Sequence, residues 1–170
     1  MNFKINIRPE KESDISQIRS VVKSAFENLS YSNQKEHLLV DALRKAGALD
    51  LSLLAEINGK IVGHIAFSEI TINEENCSWF GLAPVSVHSG YQNKGIGSKL
   101  ILEGLDKIKK SGAKGCVLLG EPEYYNRFGF QQNEQLMLQG VPPEYFLIKS
   151  FTDYIPEGLV EYHPLFKEFS

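Results

Sequence analysis

Residues 84–105 constrain this chain more than any other stretch. An apolar run, Pro84-Val85-Ser86-Val87, leads through a polar segment, His88–Lys94, into Gly95-Ile96-Gly97 at the head of an amphipathic stretch that reaches Leu105. This order predicts a strand whose C-terminal end feeds a glycine-rich turn at the start of a helix. Such a turn aims unpaired backbone N–H groups outward, with the positive end of the helix dipole behind them, and makes a seat for an anion. Any fold for the chain must bring a strand end and a helix start together at an accessible surface.

The rest of the composition narrows the setting. A chain of 170 residues is long enough to bury about 70% of its unfolded surface, so one domain over residues 1–170 is expected. No apolar run approaches the roughly 18 residues of a membrane span, and Met1–Arg8 lacks the apolar core and cleavage site of a signal peptide; a cytoplasmic protein without a membrane partner is the expectation. A net charge of −3 with scattered lysines argues against nucleic acid as a partner, because neutralising phosphates needs a basic face. Cys77 and Cys116 stand far apart with no CxxC or Cys/His cluster, which predicts two buried thiols and neither metal nor disulfide.

Along the chain, Phe3–Arg8 alternates apolar and polar residues as a half-buried strand does, with Pro9 closing it. Ile15, Ile18, Val22, Ala25, Phe26 and Leu29 then recur at helical spacing behind Ser13 and Asp14 as caps. A second helix follows Asn33 as cap, with Glu36 three positions on and Gly47 beyond its end. Leu51–Ile57 and Lys60–Phe67 flank Asn58-Gly59, the signature of a type I′ hairpin. After a loop at Asn73–Asn76, a strand over Ser78–Val87 completes an antiparallel meander and runs into the glycine turn.

Beyond that turn, Leu100, Ile101, Gly104, Leu105 and Ile108 form one helical stripe in which Gly104 implies a close neighbour. Cys116–Leu119 reads as a buried parallel strand reached by a right-handed crossover. Pro122 opens a short helix to Arg127, and Phe128-Gly129-Phe130 reads as a return to strand. Tyr145–Ile148 and Leu159–Tyr162 are further strand candidates.

Three anion-binding turns can be compared with the loop. Gly90 and Gly95 have P-loop spacing, but Ile96-Gly97 stands where Lys and Ser/Thr would meet phosphate and magnesium. A dinucleotide turn needs glycine where Leu100 stands and glycines directly after the strand, although Glu121 past the next strand suits that reading. Gln92-Asn93-Lys94-Gly95-Ile96-Gly97, in contrast, resembles without exception the Q/R-x-x-G-x-G/A acyl-CoA pyrophosphate loop of the GNAT N-acetyltransferase superfamily. The order of elements resembles that superfamily's fold, and Tyr125 stands four residues before the Gly129-Phe130 pair, as in its second signature. Val117–Tyr125 and Gly158–Phe166 are similar to the YhbS-type predicted acetyltransferases within it.

The resemblance implies an α/β (α+β) GNAT fold: a mixed central sheet with an antiparallel N-terminal meander, a splayed parallel strand pair and flanking helices. It further implies acetyl-CoA as co-substrate, no metal, and a small-molecule or peptide amine acceptor, with a monomer or homodimer as the working form. The N–H groups of Asn93, Lys94, Gly95, Ile96, Gly97 and Ser98 would hold the pyrophosphate, with Gln92 as a cofactor-binding residue of the same loop and Lys94 and Lys99 as further phosphate contacts or solvated charges. Val85 and Val87 would dock the pantetheine arm as a strand edge does. Direct attack by the amine needs no covalent enzyme intermediate, so Ser86 and Cys116 need not act as nucleophiles. Tyr125 is the candidate general acid, with a packed aromatic as its plainer reading and Tyr124 as the alternative. Glu69 or Glu121 acting through water, or His88, are candidate bases, because Ser78–Gln92 contains no carboxylate. His64 reads as a hydrogen-bonded core histidine. Segment 28–32 and the C-terminal loops are expected around the acceptor. An acyl-CoA-binding regulator without turnover, a longer acyl group and a hydroxyl acceptor are the alternatives.

Overall fold

The computed structural model describes residues 4–170. The first strand, β1 (Asn6–Pro9), pairs antiparallel with β2 (Leu51–Ile57) and includes Pro9; Phe3 lies outside the described residues. Helix α1 (Ile15–Phe26) buries Ile18, Val21 and Val22. Ser13 and Asp14 do not cap it through their side chains. Asp14 turns back, accepting from the Lys11 N–H at 2.7 Å and from the Arg8 guanidinium at 2.8 and 3.1 Å. The hydrogen bonds from Arg8 hold the Asp14 carboxyl down at about 2. Helix α2 (Glu36–Lys45) begins later than a cap at Asn33 implies. Asn33 holds the turn instead, accepting from the Lys35 N–H (2.9 Å) and donating to the Phe169 carbonyl (2.6 Å), while the Ser32 hydroxyl donates to Glu36.

The hairpin of β2 and β3 (Lys60–Ile72) turns as predicted, with φ of 51° at Asn58 and 78° at Gly59. The next turn is tighter than the sequence implies. Only Asn73 and Glu74 form it, at φ 52° and 67°, so β4 (Glu75–Val87) starts three residues before Ser78. A tertiary contact holds this turn: the Asn73 side chain accepts from the Leu159 N–H (2.9 Å) and donates to the Glu157 carbonyl (3.2 Å).

Helix α3 (Ile96–Lys110) lays Leu100, Ile101, Gly104, Leu105 and Ile108 on the sheet. Strand β5 (Gly115–Leu119) pairs parallel with β4, and α4 (Pro122–Tyr125) passes into a 3-10 turn over Asn126–Phe128. Phe128–Phe130 is not a strand. Gly129 turns left-handed at φ 91° and only Gln131 makes a bridge, to Ile148. Two short elements absent from the sequence reading, β6 (Leu136–Met137) and α5 (Leu165–Glu168), accompany β7 (Phe146–Ser150) and β8 (Gly158–Glu161). The sheet runs β1-β2-β3-β4-β5-β7, with β8 antiparallel to the end of β3 and parallel to β6. It is the open, mixed sheet with flanking helices that the resemblance implies.

Strand alternation distributes the core over both faces. Leu53, Ile65, Phe67, Cys116 and Leu118 pack with α3, whereas Leu54 and Ile61 pack with α1, and Val117 joins Trp79, Phe146 and Val160. Cys116 is buried as expected, but Cys77 is partly exposed. Among the described residues no helix is long and apolar enough to cross a membrane, and no cluster of His, Cys, Asp and Glu is suited to a metal.

His64 is fully buried as a core histidine, its Nε2 2.8 Å from the Ser52 hydroxyl, which in turn donates to Glu10. Glu10 also takes two hydrogen bonds from Arg44 (2.7 and 2.9 Å), which fastens α2 to the sheet. Burial depresses the His64 pKa to about 4. The neutral imidazole is therefore the form that folds, and its contribution is complete above the unfolded value near 6.5. It is lost as pH falls toward 4, by about 3 kcal/mol in all. Urea unfolding at pH 7, 5.5 and 4 is expected to show that decline, and a His64→Leu variant is expected to flatten it over the same window.

Gly104 gives a second expectation. A Cβ there would sit 2.6 Å from Phe67 Cε2 and 2.8 Å from its Cζ, under a ring that is itself fully buried. Gly104→Ala should therefore lower the melting temperature, costing about 1–3 kcal/mol through overpacking despite the better helix propensity of alanine.

Candidate functional site

The site begins where β4 and β5 part. Their parallel pairing covers only Trp79–Gly81 against Gly115–Val117. Past Gly81, β4 continues on β3, with Val85 opposite Ile65 and Val87 opposite Gly63, but its other edge has no strand partner among the described residues. Peptide groups alternate along a strand. The His88 N–H donates to Val62 on β3 (2.8 Å), so Val87 faces the open edge, where its carbonyl accepts from the Gln92 side chain at 3.2 Å.

The open edge leads to the start of α3. Asn93 (φ 63°) and Gly95 (φ 82°) bend the loop, and a side chain at Gly95 would be strained by that backbone whatever the space around it. The first internal bond of α3 runs from the Lys99 N–H to the Gly95 carbonyl. The N–H groups of Ile96, Gly97 and Ser98 thus find no backbone acceptor among the described residues and point out of the helix start. Lys99 is turned away, donating to the Ile5 carbonyl at 2.9 Å. His88 shapes the loop, its Nδ1 accepting from the Gly90 N–H (3.0 Å).

Two cavities connect these features. One, of 310 Å³, is lined by Val85, Val87, Gln92, Asn93, Gly97 and Tyr124, and reaches α1 at Ala25 and Phe26. The other, of 790 Å³, occupies the gap between the parted strands, with Leu82–Val85 on one side, Leu119–Glu121 on the other and Tyr125 beside them. Phe26, Tyr31, Val85 and Tyr124 line both, so the start of α3 and the gap share one groove.

Helix α4 presents two tyrosines to this groove. Pro122 starts it, and the Tyr124 and Tyr125 N–H groups both bond to the Glu121 carbonyl (3.1 and 3.0 Å). Tyr125 packs its ring against Gly120, where a Cβ would collide with it, and edge-on to Phe130 at 6.2 Å. Burial, then the neighbouring Tyr124 and Tyr31, push its phenol up to about 12. Its hydroxyl has no hydrogen-bond partner among the described residues, whereas the Tyr124 hydroxyl pairs with Ser98 Oγ at 3.3 Å, under the Arg127 guanidinium stacked 4.6 Å from its ring. Tyr124 thus meets both the helix start and the gap, Tyr125 only the gap.

The two candidate carboxylates are separated. Glu121 is exposed and lines the gap with Tyr125. Glu69 lines a different cavity, of 470 Å³, with Asp50, Glu74 and Glu161. Cys116 is fully buried, and burial raises its thiol pKa, which leaves it without nucleophilic character. Tyr31, from the segment expected near the acceptor, lines the gap. Leu39, Leu119 and Tyr145 also line it and were not singled out from the sequence; nothing in their spacing marks them, since chain reversals bring them there. The Ser98–Tyr124 pair was likewise invisible in the sequence.

Comparison with known proteins agrees with this geometry. Residues 6–132 match the family model described as an acetyltransferase (GNAT) domain. The chain is 33% identical, over 96% of its length and 99% of the relative's, to the uncharacterized N-acetyltransferase YhbS of Escherichia coli K12. It superposes on the crystal structure of that E. coli protein in complex with CoA with a TM-score of 0.91 at 32% identity, covering 100% of this chain and 96% of the other. A GNAT family acetyltransferase from Brucella melitensis, crystallised with acetyl-CoA, gives a TM-score of 0.87 at 46% identity over 97% of this chain and 99% of that one.

Proposed function

Because the chain belongs to the GNAT acetyltransferase family, we propose that it binds acetyl-CoA along the open edge of β4 and passes the acetyl group to an amine. The observation that carries this reading is the single groove from the unpaired N–H groups of α3 to Tyr125. The CoA and acetyl-CoA complexes of the two similar acetyltransferases support it.

When bound, acetyl-CoA supplies a thioester whose carbonyl accepts the amine and whose sulfur leaves. The residues present fit such a ligand. Ile96, Gly97 and Ser98 offer N–H donors to a pyrophosphate, with Asn93, Lys94 and Gly95 shaping the turn beneath it. Val85 and Val87 offer peptide groups to an extended amide-bearing arm, as a sheet edge does to an added strand. Gln92 closes the loop onto Val87 and sets where that arm begins.

Tyr125 serves as the general acid. With its pKa near 12 it stays protonated across the neutral range. That value lies above a thiol's, but the same desolvation raises the basicity of a thiolate formed beside it, so the proton passes as the C–S bond breaks. The acceptor loses its own proton to Glu121 through water; the lining of the gap favours Glu121 over Glu69 for this role. The new N–C bond replaces the C–S bond, and the products are the acetamide and free CoA.

Tyr125→Phe is expected to lower kcat by about 100-fold while the KM for acetyl-CoA stays within about twofold, read as thiol release in the presence of an amine. An unchanged kcat would remove Tyr125 from the reaction. Gly97→Val tests the seat, because a Cβ at Gly97 would already stand 3.7 Å from both the Tyr124 hydroxyl and Val87 Cγ2. CoA affinity should fall at least tenfold by calorimetry, with the melting temperature of the free protein close to wild type.

A further inference from the structure

We propose that the acceptor is a hydrophobic primary amine with no carboxylate near its nitrogen, an alkyl- or aralkylamine, bound with its ammonium end in the gap and its apolar body in a chamber behind β5. This inference rests on the acetyltransferase reading above and specifies its acceptor. The gap carries two carboxylates, Glu36 and Glu121, together with Tyr31, Tyr124, Tyr125 and Tyr145, and its lining includes no lysine or arginine among the described residues. An approaching ammonium meets acidic groups and aromatic faces that attract cations. A carboxylate on the neighbouring carbon would enter beside Glu36 and Glu121 with no cation among the lining residues to pair with, and burying it unpaired is costly.

The second half of the inference comes from the shape of the gap. Its end nearest α3 is continuous with the anion seat and is taken by the acyl donor. At Leu82, Ala83 and Leu119 it meets another cavity, of 590 Å³, whose walls include Leu138, Val141, Leu159, Val160 and Phe166. These walls come from the C-terminal segment, which β8 and the Asn33–Phe169 contact hold against the fold. The chamber's charged lining residues are Glu161 and Lys167, and Lys167 is exposed; Gln139, Tyr162, His163 and Ser170 are its neutral polar ones. An apolar body of alkyl or phenyl size fills such a wall, whereas a short polar amine leaves it unused.

The experiment compares amines of matched body on the intact protein with acetyl-CoA, following thiol release. Phenethylamine and n-hexylamine are expected to exceed phenylalanine and ethanolamine in kcat/KM by at least tenfold. Glu36→Gln, which keeps the side chain's size, should cut the phenethylamine-to-phenylalanine ratio at least threefold. Phenylalanine or ethanolamine turning over as well as phenethylamine would overturn the acceptor class and leave acetyl transfer intact. Acetyl-CoA binding without acetylation of any amine would overturn both readings.

Discussion

The parting of β4 from β5 after Gly81 and Val117 is the constraint on which the site depends. A buried strand edge without hydrogen-bond partners is unfavourable unless a ligand or water supplies them. Here the unpaired edge borders a groove, so the peptide groups a sheet would normally consume stay available. The same divergence opens the gap that Tyr125 and Glu121 line. One interruption in a sheet thus provides both a free strand edge and a cavity beside it.

The surrounding fold keeps this interruption local. On one side β4 remains paired to β3 through Val87, and α3 packs Leu100, Ile101 and Leu105 beneath the meander. On the other, β5 is held by β7 along its whole length, from Gly115 opposite Ser150 to Leu119 opposite Phe146. Glu10, Arg44, Ser52 and His64 tie the end of α2 to the first strands. The network consumes polar groups that would otherwise be stranded in the core, although His64 Nδ1 keeps no partner among the described residues.

The start of α3 and Tyr125 are linked by short contacts rather than by sequence proximity. Tyr124 bonds Ser98 at the start of α3, and its neighbour Tyr125 rests on Gly120 at the end of β5. Adjacent residues on one helical turn point in different directions, so α4 spans from the start of α3 to the gap. Any shift of α3 relative to β5 is felt at both tyrosines.

Local sequence alone determined much of this protein. Period-2 and period-3.6 patterns placed the meander and the first three helices, Asn58-Gly59 set its hairpin, and Gln92–Gly97 announced the family. Those are short-range properties, fixed by backbone preference and by which residues can take positive φ. Tertiary structure decided the rest. Asn73 forms a two-residue turn because Leu159 and Glu157 reach it, Asn33 leaves the cap of α2 for the C-terminus, β6 pairs with β8 and α5 lies against α2. The division of Glu121 from Glu69, and the joining of Leu39, Leu119 and Tyr145 around one gap, follow from chain reversals whose partners lie tens of residues apart, and no local pattern encodes such pairings.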